Sequence, residues 1–298
     1  MSETPREKPV HASTDQFPVL GNELLVGGIP LTRLAARVGQ TPFYAYDRAL
    51  LTRRVAELRA ALPAGIKLHY AMKANPMPAV VTHMAGLVDG IDVASGLELN
   101  VALDSGADPR EISFAGPGKS DEELMKAVAA GILINIESFR EVGVLAAIQQ
   151  QTGWTARVAV RVNPDFELKS SGMKMGGGPK QFGVDAEQVP ELLAEIGKAG
   201  LGFEGFHLFA GSQNLRPESI VEAQRKCFDL ALRLAEAAPG PVKFLNLGGG
   251  FGIPYFPGEQ RLDLSSIGAN LAAIQEDARR TMPQAEIVIE LEIGRASC

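Results

Sequence analysis

The sequence predicts an α/β protein, a (β/α)8 barrel of the TIM type, from three observations. Short apolar or β-branched runs alternate with longer amphipathic stretches from Thr41 onward, an order typical of parallel strands joined by helices. Eight such runs fall within about 250 residues, the number and length of a (β/α)8 barrel. A lysine and a run of glycines follow two of them, at strand ends where barrels place functional groups. A doubly wound open sheet is the alternative, because periodicity does not distinguish an open sheet from a closed one.

The predicted elements follow the chain in regular order. The candidate strands are Ile66–Met72, Gly90–Ala94, Ile112–Ala115, Leu133–Ile136, Arg157–Val162, Gly205–Phe209, Lys243–Leu247 and Glu286–Leu291. Helical patterns lie between the strands, with the clearest at Ala49–Leu62, Ser120–Ala130 and Ser219–Ala238. In the last of these, apolar residues recur every three or four positions, which places them on one face of a helix.

Two segments precede the barrel pattern. Residues 1–16 are polar and carry both charge signs, which predicts a disordered leader rather than a signal peptide. Phe17–Ile29 is apolar and contains glycine, but it has no place in the barrel count. It indicates a strand that belongs to another part of the molecule.

Composition narrows the class of protein. The chain has 298 residues, 46% of them hydrophobic, and its net charge is −6 without a basic run, which argues against a nucleic-acid partner. No apolar stretch approaches the roughly 18 residues of a membrane span. Cys227 and Cys298 are the two cysteines, too few for a disulfide framework or a cysteine-based zinc site. These features indicate a cytoplasmic protein of enzyme size without a metal site.

Two motifs point to chemistry at strand ends. Lys73 lies in a tight turn, His69–Pro76, just past the first predicted strand, where a barrel holds catalytic groups. A surface lysine is the alternative for this residue alone. Gly248, Gly249 and Gly250 follow the seventh strand and offer unhindered backbone N–H groups to a phosphate. A plain flexible turn is the alternative there.

The sixth and eighth strands end in further candidates. Glu290 and Glu292 project to the same side of the eighth strand, and a buried carboxylate there needs a cationic partner such as a protonated ring nitrogen. Solvated charges are the alternative. Gly294 and Arg295 follow as candidate phosphate ligands, and Ser212, after the sixth strand, is another. His207, on the sixth strand, is by itself more typical of a core histidine than of a catalytic one.

Two glycine-containing segments are interpreted differently. Gly116–Ser120 resembles the end of a Walker A loop, but Ser113 stands where the motif requires glycine, so a nucleotide-binding loop is not predicted. Gly176–Gly178 lies in the polar stretch Asp165–Gln181, which predicts a mobile active-site loop.

Taken together, the motifs resemble those of the fold-type III pyridoxal-phosphate decarboxylases, the diaminopimelate and ornithine decarboxylase family. The resemblance covers residues 17–292 in the family's order of motifs. The strings from Met173 to Gly183 and from Gly205 to Gln213 are most similar to the subgroup associated with exosortase systems.

The resemblance implies a role for each matching residue. Lys73 would bind the aldehyde of pyridoxal 5'-phosphate, Glu292 would face its pyridine nitrogen, and His207 would act in catalysis. Glu98 matches the family's acidic residue after the second strand. The remaining implied cofactor-binding residues are Asp92, Ser95, Arg161, Phe209, Ser212, Gly248, Gly249, Gly250, Gly294 and Arg295.

The sequence departs from the family at three places. Phe209 stands where the family has a histidine that stacks on the pyridine ring, and Ile293 replaces the proline of Glu-Pro-Gly-Arg. The family's carboxy-terminal β domain does not follow within the 298 residues. The predicted organisation is therefore a leader (1–16), a segment that pairs with that β domain (17–40), the cofactor-binding barrel (41–292) and a non-native tail (293–298).

The implied activity is decarboxylation of an amino acid with a basic or amino-bearing side chain, performed by a homodimer when the β domain is present. Glu292 favours this reaction over racemisation, because a negative charge stabilises the protonated ring. A non-catalytic cofactor-binding barrel, an amino-acid racemase and an unrelated phosphosugar enzyme are the alternatives. Without the β domain the chain is expected to be inactive.

Overall fold

The structure, a computed structural model, describes residues 16–166, 173–174 and 181–293. Its strands are β1 (Val19–Leu20), β2 (Glu23–Val26), β3 (Ile29–Pro30), β4 (Lys67–Ala71), β5 (Gly90–Val93), β6 (Ile112–Phe114), β7 (Leu133–Ile136), β8 (Arg157–Asn163), β9 (Met173–Lys174), β10 (Val184–Asp185), β11 (Gly202–Leu208), β12 (Gly211–Ser212), β13 (Phe244–Gly249) and β14 (Glu286–Leu291). Its helices are α1 (Leu31–Val38), α2 (Arg48–Ala61), α3 (Pro78–Ala85), α4 (Gly96–Asp104), α5 (Asp121–Ala130), α6 (Phe139–Thr152), α7 (Val189–Ala199), α8 (Pro217–Ala235) and α9 (Ser265–Thr281).

Eight parallel strands close into a barrel. The ring runs β4-β5-β6-β7-β8-β11-β13-β14, and β14 returns to pair with β4, with Glu290 opposite His69. The pairing of β7 with β8, where Asn135 lies opposite Ala159, joins the two halves of the ring. The predicted (β/α)8 barrel is therefore confirmed, and the open-sheet alternative is wrong because no barrel strand is left at an edge.

The eight predicted strands are the eight barrel strands. Leu133–Ile136 and Glu286–Leu291 agree with β7 and β14 residue for residue. The largest difference is at β11, which begins at Gly202 rather than Gly205. A bulge lies between Phe203 and Gly205 and interrupts the alternation that the prediction relied on. At Gly205 a side chain would collide with the Phe244 carbonyl, since a Cβ would lie 1.8 Å from its oxygen.

The helices cover the outside of the barrel with their apolar faces. Helix α5 begins with a capping box, in which Ser120 and Glu123 each accept a backbone N–H of the other. Helix α8 buries Ile220, Cys227 and Leu230 against the strands, as the spacing predicted, but it ends at Ala235, before Ala238. Within the described part of the chain, no helix is both long enough and apolar enough to span a membrane.

The segment before the barrel forms a small sheet of its own. Strands β1, β2 and β3 pair antiparallel, with Val19 opposite Leu24 and Leu25 opposite Pro30. The side chains of Val19 and Leu20 on the outer strand are largely exposed to solvent. The sheet therefore presents an apolar edge outside the barrel.

Candidate active site

The predicted functional groups meet at the carboxyl ends of three neighbouring strands, β13, β14 and β4. The glycines lie at the end of β13 and just beyond it, and the two glutamates are placed in the same way at β14. Lys73 follows β4 in a short 3-10 turn, Met72–Ala74. The Lys73 Nζ lies 3.8 Å from Glu292 Oε1, although the two residues are far apart in sequence. The lysine side chain is 53% exposed, so its amine is open to a ligand from the mouth of the barrel.

Glu290 forms a second, more deeply placed carboxylate. Its Oε2 lies 3.1 Å from His207 Nε2 and 3.5 Å from Asn246 Nδ2, and its side chain is only 11% exposed. Burial by itself would raise the pKa of the Glu290 carboxyl. The contact with His207 and the charges of Lys73 and Arg161 outweigh that effect and hold the pKa below its usual range. Glu290 is therefore a buried carboxylate that stays ionised.

The glycine turn packs tightly against the loop that follows β11. A Cβ at Gly249 would lie 2.1 Å from the Glu290 carbonyl oxygen, and a Cβ at Gly250 would lie 2.1 Å from that of Gly211. The Gly250 carbonyl accepts a hydrogen bond from Asn214 N at 2.9 Å, which ties the two loops together. This close approach places Ser212 beside the glycines, as the prediction of a shared phosphate site requires.

The glycine turn also contacts the side chain of Phe209. At Gly248, where φ is +70°, a Cβ would lie 2.8 Å from Cδ2 of Phe209. The phenyl ring therefore rests directly against the backbone of the turn. A cleft lined by Gly211, Asn214 and Gly250, among others, lies beside it. A backbone cradle that only glycine can form, with a lysine and carboxylates on the adjoining strands, fits a phosphorylated aromatic aldehyde.

Arg161 reaches the site from β8. Its Nη1 donates to Glu137 Oε1 at 3.1 Å, and its guanidinium lies 4.8 Å from the ring centroid of Phe182. These contacts hold the guanidinium in one place at the carboxyl end of the barrel. Its charge is one of those that lower the pKa of Glu290.

Asp92 and Ser95 have structural partners of their own. Asp92 is buried inside the barrel, where its Oδ1 lies 3.0 Å from His69 Nδ1 and accepts a hydrogen bond from Ser113. Ser95 caps helix α4 by accepting from Glu98 N, and Glu98 in turn accepts from Ala94 N. A cofactor contact for these residues stays a prediction.

Some predicted residues lie outside the described part of the chain. These are Gly294 and Arg295, together with Gly176–Gly178 of the expected active-site loop. Of that loop, the backbone of β9 is described, and it pairs antiparallel with β12 through Ser212 and Met173.

The sequence prediction missed a cluster of buried charges beside Arg161. Lys119, which the Walker-like segment singled out, is fully internal, and its Nζ lies 3.0 Å from Glu141 Oε1. Glu137, on the other side of Glu141, binds Arg161. A usable signal was present, because two glutamates four residues apart begin a helix directly after a buried strand.

Comparison with known proteins identifies the family. A family model described as the pyridoxal binding domain of pyridoxal-dependent decarboxylases matches residues 48–297. The chain belongs to this family. The predicted resemblance is thereby confirmed, and so is pyridoxal 5'-phosphate as the cofactor of the barrel; the likeness to the exosortase-associated subgroup stays a prediction.

Individual relatives agree with the family match. The L-glutamyl-[BtrI acyl-carrier protein] decarboxylase of Niallia circulans is 36% identical over 267 residues, with 87% of this chain and 61% of that protein covered. The diaminopimelate decarboxylase of Aquifex aeolicus is 37% identical over 238 residues, which cover 79% of this chain and 56% of the relative. The chain thus spans about six tenths of the length of these relatives.

A solved structure shares the fold. Diaminopimelate decarboxylase from Helicobacter pylori, crystallised with L-lysine, superposes with a TM-score of 0.75 at 28% identity. The match covers 87% of this chain and 65% of that protein. The barrel is therefore common to this chain and to a decarboxylase.

Proposed function

We propose that this chain is the cofactor-binding barrel of an amino-acid decarboxylase whose substrate carries a basic or amino-bearing side chain. The observation that supports it best is the exposed Lys73 amine beside Glu292, next to the glycine turn on the neighbouring strands. The names of the relatives support decarboxylation as the reaction class. Diaminopimelate, ornithine, lysine and an aminoacyl group on a carrier protein are the candidate substrates.

Residues at the mouth of the barrel would hold different parts of the cofactor. Lys73 would bind the aldehyde, and the Phe209 ring would support the pyridine by stacking. The backbone N–H groups of the glycine turn, with Ser212, Gly294 and Arg295, would bind the phosphate. Arg161, on the strand opposite the lysine, would lie beside the cofactor ring.

A carboxylate beside the pyridine nitrogen would favour decarboxylation. Bound pyridoxal phosphate supplies an electron-accepting ring that stabilises the carbanion left when an amino acid loses CO2. A carboxylate beside the ring nitrogen favours its protonated form and so strengthens this acceptor. The motif assigns this place to Glu292. We keep that assignment, because Glu292 lies beside the Lys73 amine at the barrel mouth, whereas the Glu290 carboxylate is already paired with His207.

The cofactor assignment is tested by borohydride reduction of the chain in the presence of pyridoxal phosphate. Reduction should fix the cofactor to the peptide that contains Lys73, and Lys73→Ala should abolish both the labelling and the visible absorbance of the bound cofactor. Lys126→Ala is the matched control, since Lys126 is a surface lysine bonded to Asn100. Labelling at another lysine would show that the Lys73 assignment is wrong.

The reaction itself is tested by CO2 release. Each candidate amino acid is offered to a protein that joins the barrel to the β domain of a relative. Cofactor binding without CO2 release from any of them would favour the non-catalytic alternative.

A further inference from the structure

Four charged side chains form a buried row beside the active site. Lys119 and Glu141 are each 1% exposed, Glu137 is fully buried, and Arg161 closes the row at the barrel mouth. Positive and negative charges balance within the row. Burying charged side chains costs desolvation free energy, and buried ion pairs can often be replaced by apolar residues without loss of stability. The geometry of the row therefore points to positioning rather than to stability alone.

Lys119 anchors the inner end of the row. Its Nζ donates to the carbonyl oxygens of Gly116 at 2.7 Å and Asn135 at 2.8 Å, and to Glu141 Oε1 at 3.0 Å. These three bonds use the three donors of an ammonium group. Lys119 thus ties the segment after β6 to β7 and to the first turn of helix α6.

Glu141 and Glu137 form the middle of the row. The Oε2 of Glu141 accepts from the backbone N–H of Glu137 at 2.7 Å, which fixes the residue where β7 ends. Glu137 Oε1 then accepts from Gly116 N at 2.5 Å, and its Oε2 accepts from Gly183 N at 3.0 Å. The Glu137 carboxylate is therefore held by two different loops before it meets Arg161.

Arg161 is confined from two directions. Glu137 binds one of its nitrogens, and the ring of Phe182 lies over the guanidinium. Phe182 precedes Gly183, so the loop that supplies the ring is the one tied to Glu137. An arginine on a flexible side chain thus acquires a single orientation at the cofactor site.

We propose that Glu137 is a positioning residue that orients Arg161 toward the cofactor, and that the Lys119–Glu141 pair fixes Glu137 for this role. The inference rests on the proposed function, which places Arg161 at the edge of the cofactor ring. Glu137 itself touches neither the cofactor nor the substrate; it acts through the guanidinium.

The test is a double-mutant cycle of Glu137→Gln and Arg161→Met in the 298-residue chain. Pyridoxal phosphate affinity is measured by absorbance titration. We expect Glu137→Gln to weaken binding about tenfold in the presence of Arg161 and to have no further effect in the Arg161→Met background. The same cycle is measured by thermal unfolding of the cofactor-free chain, where the two losses in Tm should not add.

Glu123→Gln is the matched control. Glu123 also accepts from two backbone N–H groups, those of Gly96 and Ser120, but it has no contact with Arg161. It should lower Tm equally in both backgrounds and leave the cofactor affinity unchanged. If Glu137→Gln does not fold, Glu137→Asp replaces it, since this variant keeps the charge and withdraws it from Arg161.

The outcomes separate this inference from the proposed function. An equal loss of affinity with and without Arg161 would overturn the positioning role, as would additive losses in Tm. A wild-type chain that binds no pyridoxal phosphate would instead refute the proposed function, and the Tm cycle alone would then decide whether Glu137 holds Arg161.

Discussion

Two glutamates at the end of one strand show how strongly the surroundings of a residue determine its chemistry. Glu290 lies in β14 and contacts His207 within the barrel, whereas Glu292 follows the last residue of the strand, contacts Lys73 and is 33% exposed. The Glu290 carboxylate is thus paired inside the barrel, and Glu292 is the carboxylate beside the lysine proposed to bind the cofactor. Glu292 is therefore the residue that we propose as the partner of the pyridine nitrogen.

We predict that replacing Glu290 or Glu292 by glutamine has different effects on kcat in a protein that carries the β domain. Glu292→Gln should lower kcat by about a thousandfold, roughly 4 kcal/mol of barrier, because the ring nitrogen loses the charge that keeps its proton. Glu290→Gln should lower kcat by less than about tenfold, because the Glu290 carboxylate contacts His207. Absorbance titration should show that both variants still bind the cofactor. The reverse order of effects would transfer the role to Glu290 and show that the motif assignment is wrong.

Among the structural elements, the turn that ends β13 depends most strictly on glycine. Gly250 adopts a φ of +70° and also approaches the Gly211 carbonyl so closely that a Cβ has no room. The first property is a matter of local conformation and the second of packing between two loops. Gly258 has only the first, since its φ is +90° and no atom lies within 4 Å of the position that a Cβ would take.

This pair of glycines isolates the contribution of packing. Gly258→Ala should lower the free energy of unfolding by about 1 kcal/mol, the penalty for a left-handed alanine, and should not alter cofactor affinity. Gly250→Ala should cost several kcal/mol more and weaken cofactor binding at least tenfold, because the loops that carry Ser212 and the glycines must separate. Urea unfolding and absorbance titration measure the two effects. Equal behaviour of the two variants would show that the turn is not a phosphate cradle.

For the whole molecule, the barrel supplies the cofactor site but spans about six tenths of the relatives it matches, 61% and 56% of their lengths. The small sheet β1–β3 lies outside the barrel, with Val19 and Leu20 exposed along its edge strand. An apolar strand edge of this kind is a surface for pairing with further strands. We propose that the segment 17–40 pairs with a β domain of the kind that the family contains.

We therefore predict that residues 1–298, expressed alone, bind pyridoxal phosphate weakly, self-associate and release no CO2 from diaminopimelate, ornithine or lysine. A version joined to a β domain should form an active dimer, because that domain would cover the strand edge and exclude water from the site. Sedimentation and CO2 assays on both proteins provide the measurement. CO2 release by the short chain as a monomer would contradict the prediction.

Local patterns in the sequence determined most of the elements. The eight barrel strands, the helix at Ser120–Ala130 and the place of Lys73 at a strand end all follow from the spacing of apolar residues and from turn residues, which record burial over a few neighbouring positions. The motif order also predicted the family and its cofactor. Gly205 is the exception, because a bulge breaks the period on which strand boundaries depend.

Only the tertiary structure decided closure of the sheet and the partners of the charged residues. The contacts of Lys73 with Glu292, of His207 with Glu290 and of Glu137 with Arg161 join residues that are distant in sequence. No local period encodes such pairs, because they arise when β14 returns to β4 and the strand ends converge on one axis. The surroundings also give different partners to two chemically identical side chains, Glu290 and Glu292. Lys119 resembles a phosphate ligand in the sequence, but in the structure it is buried and binds Glu141.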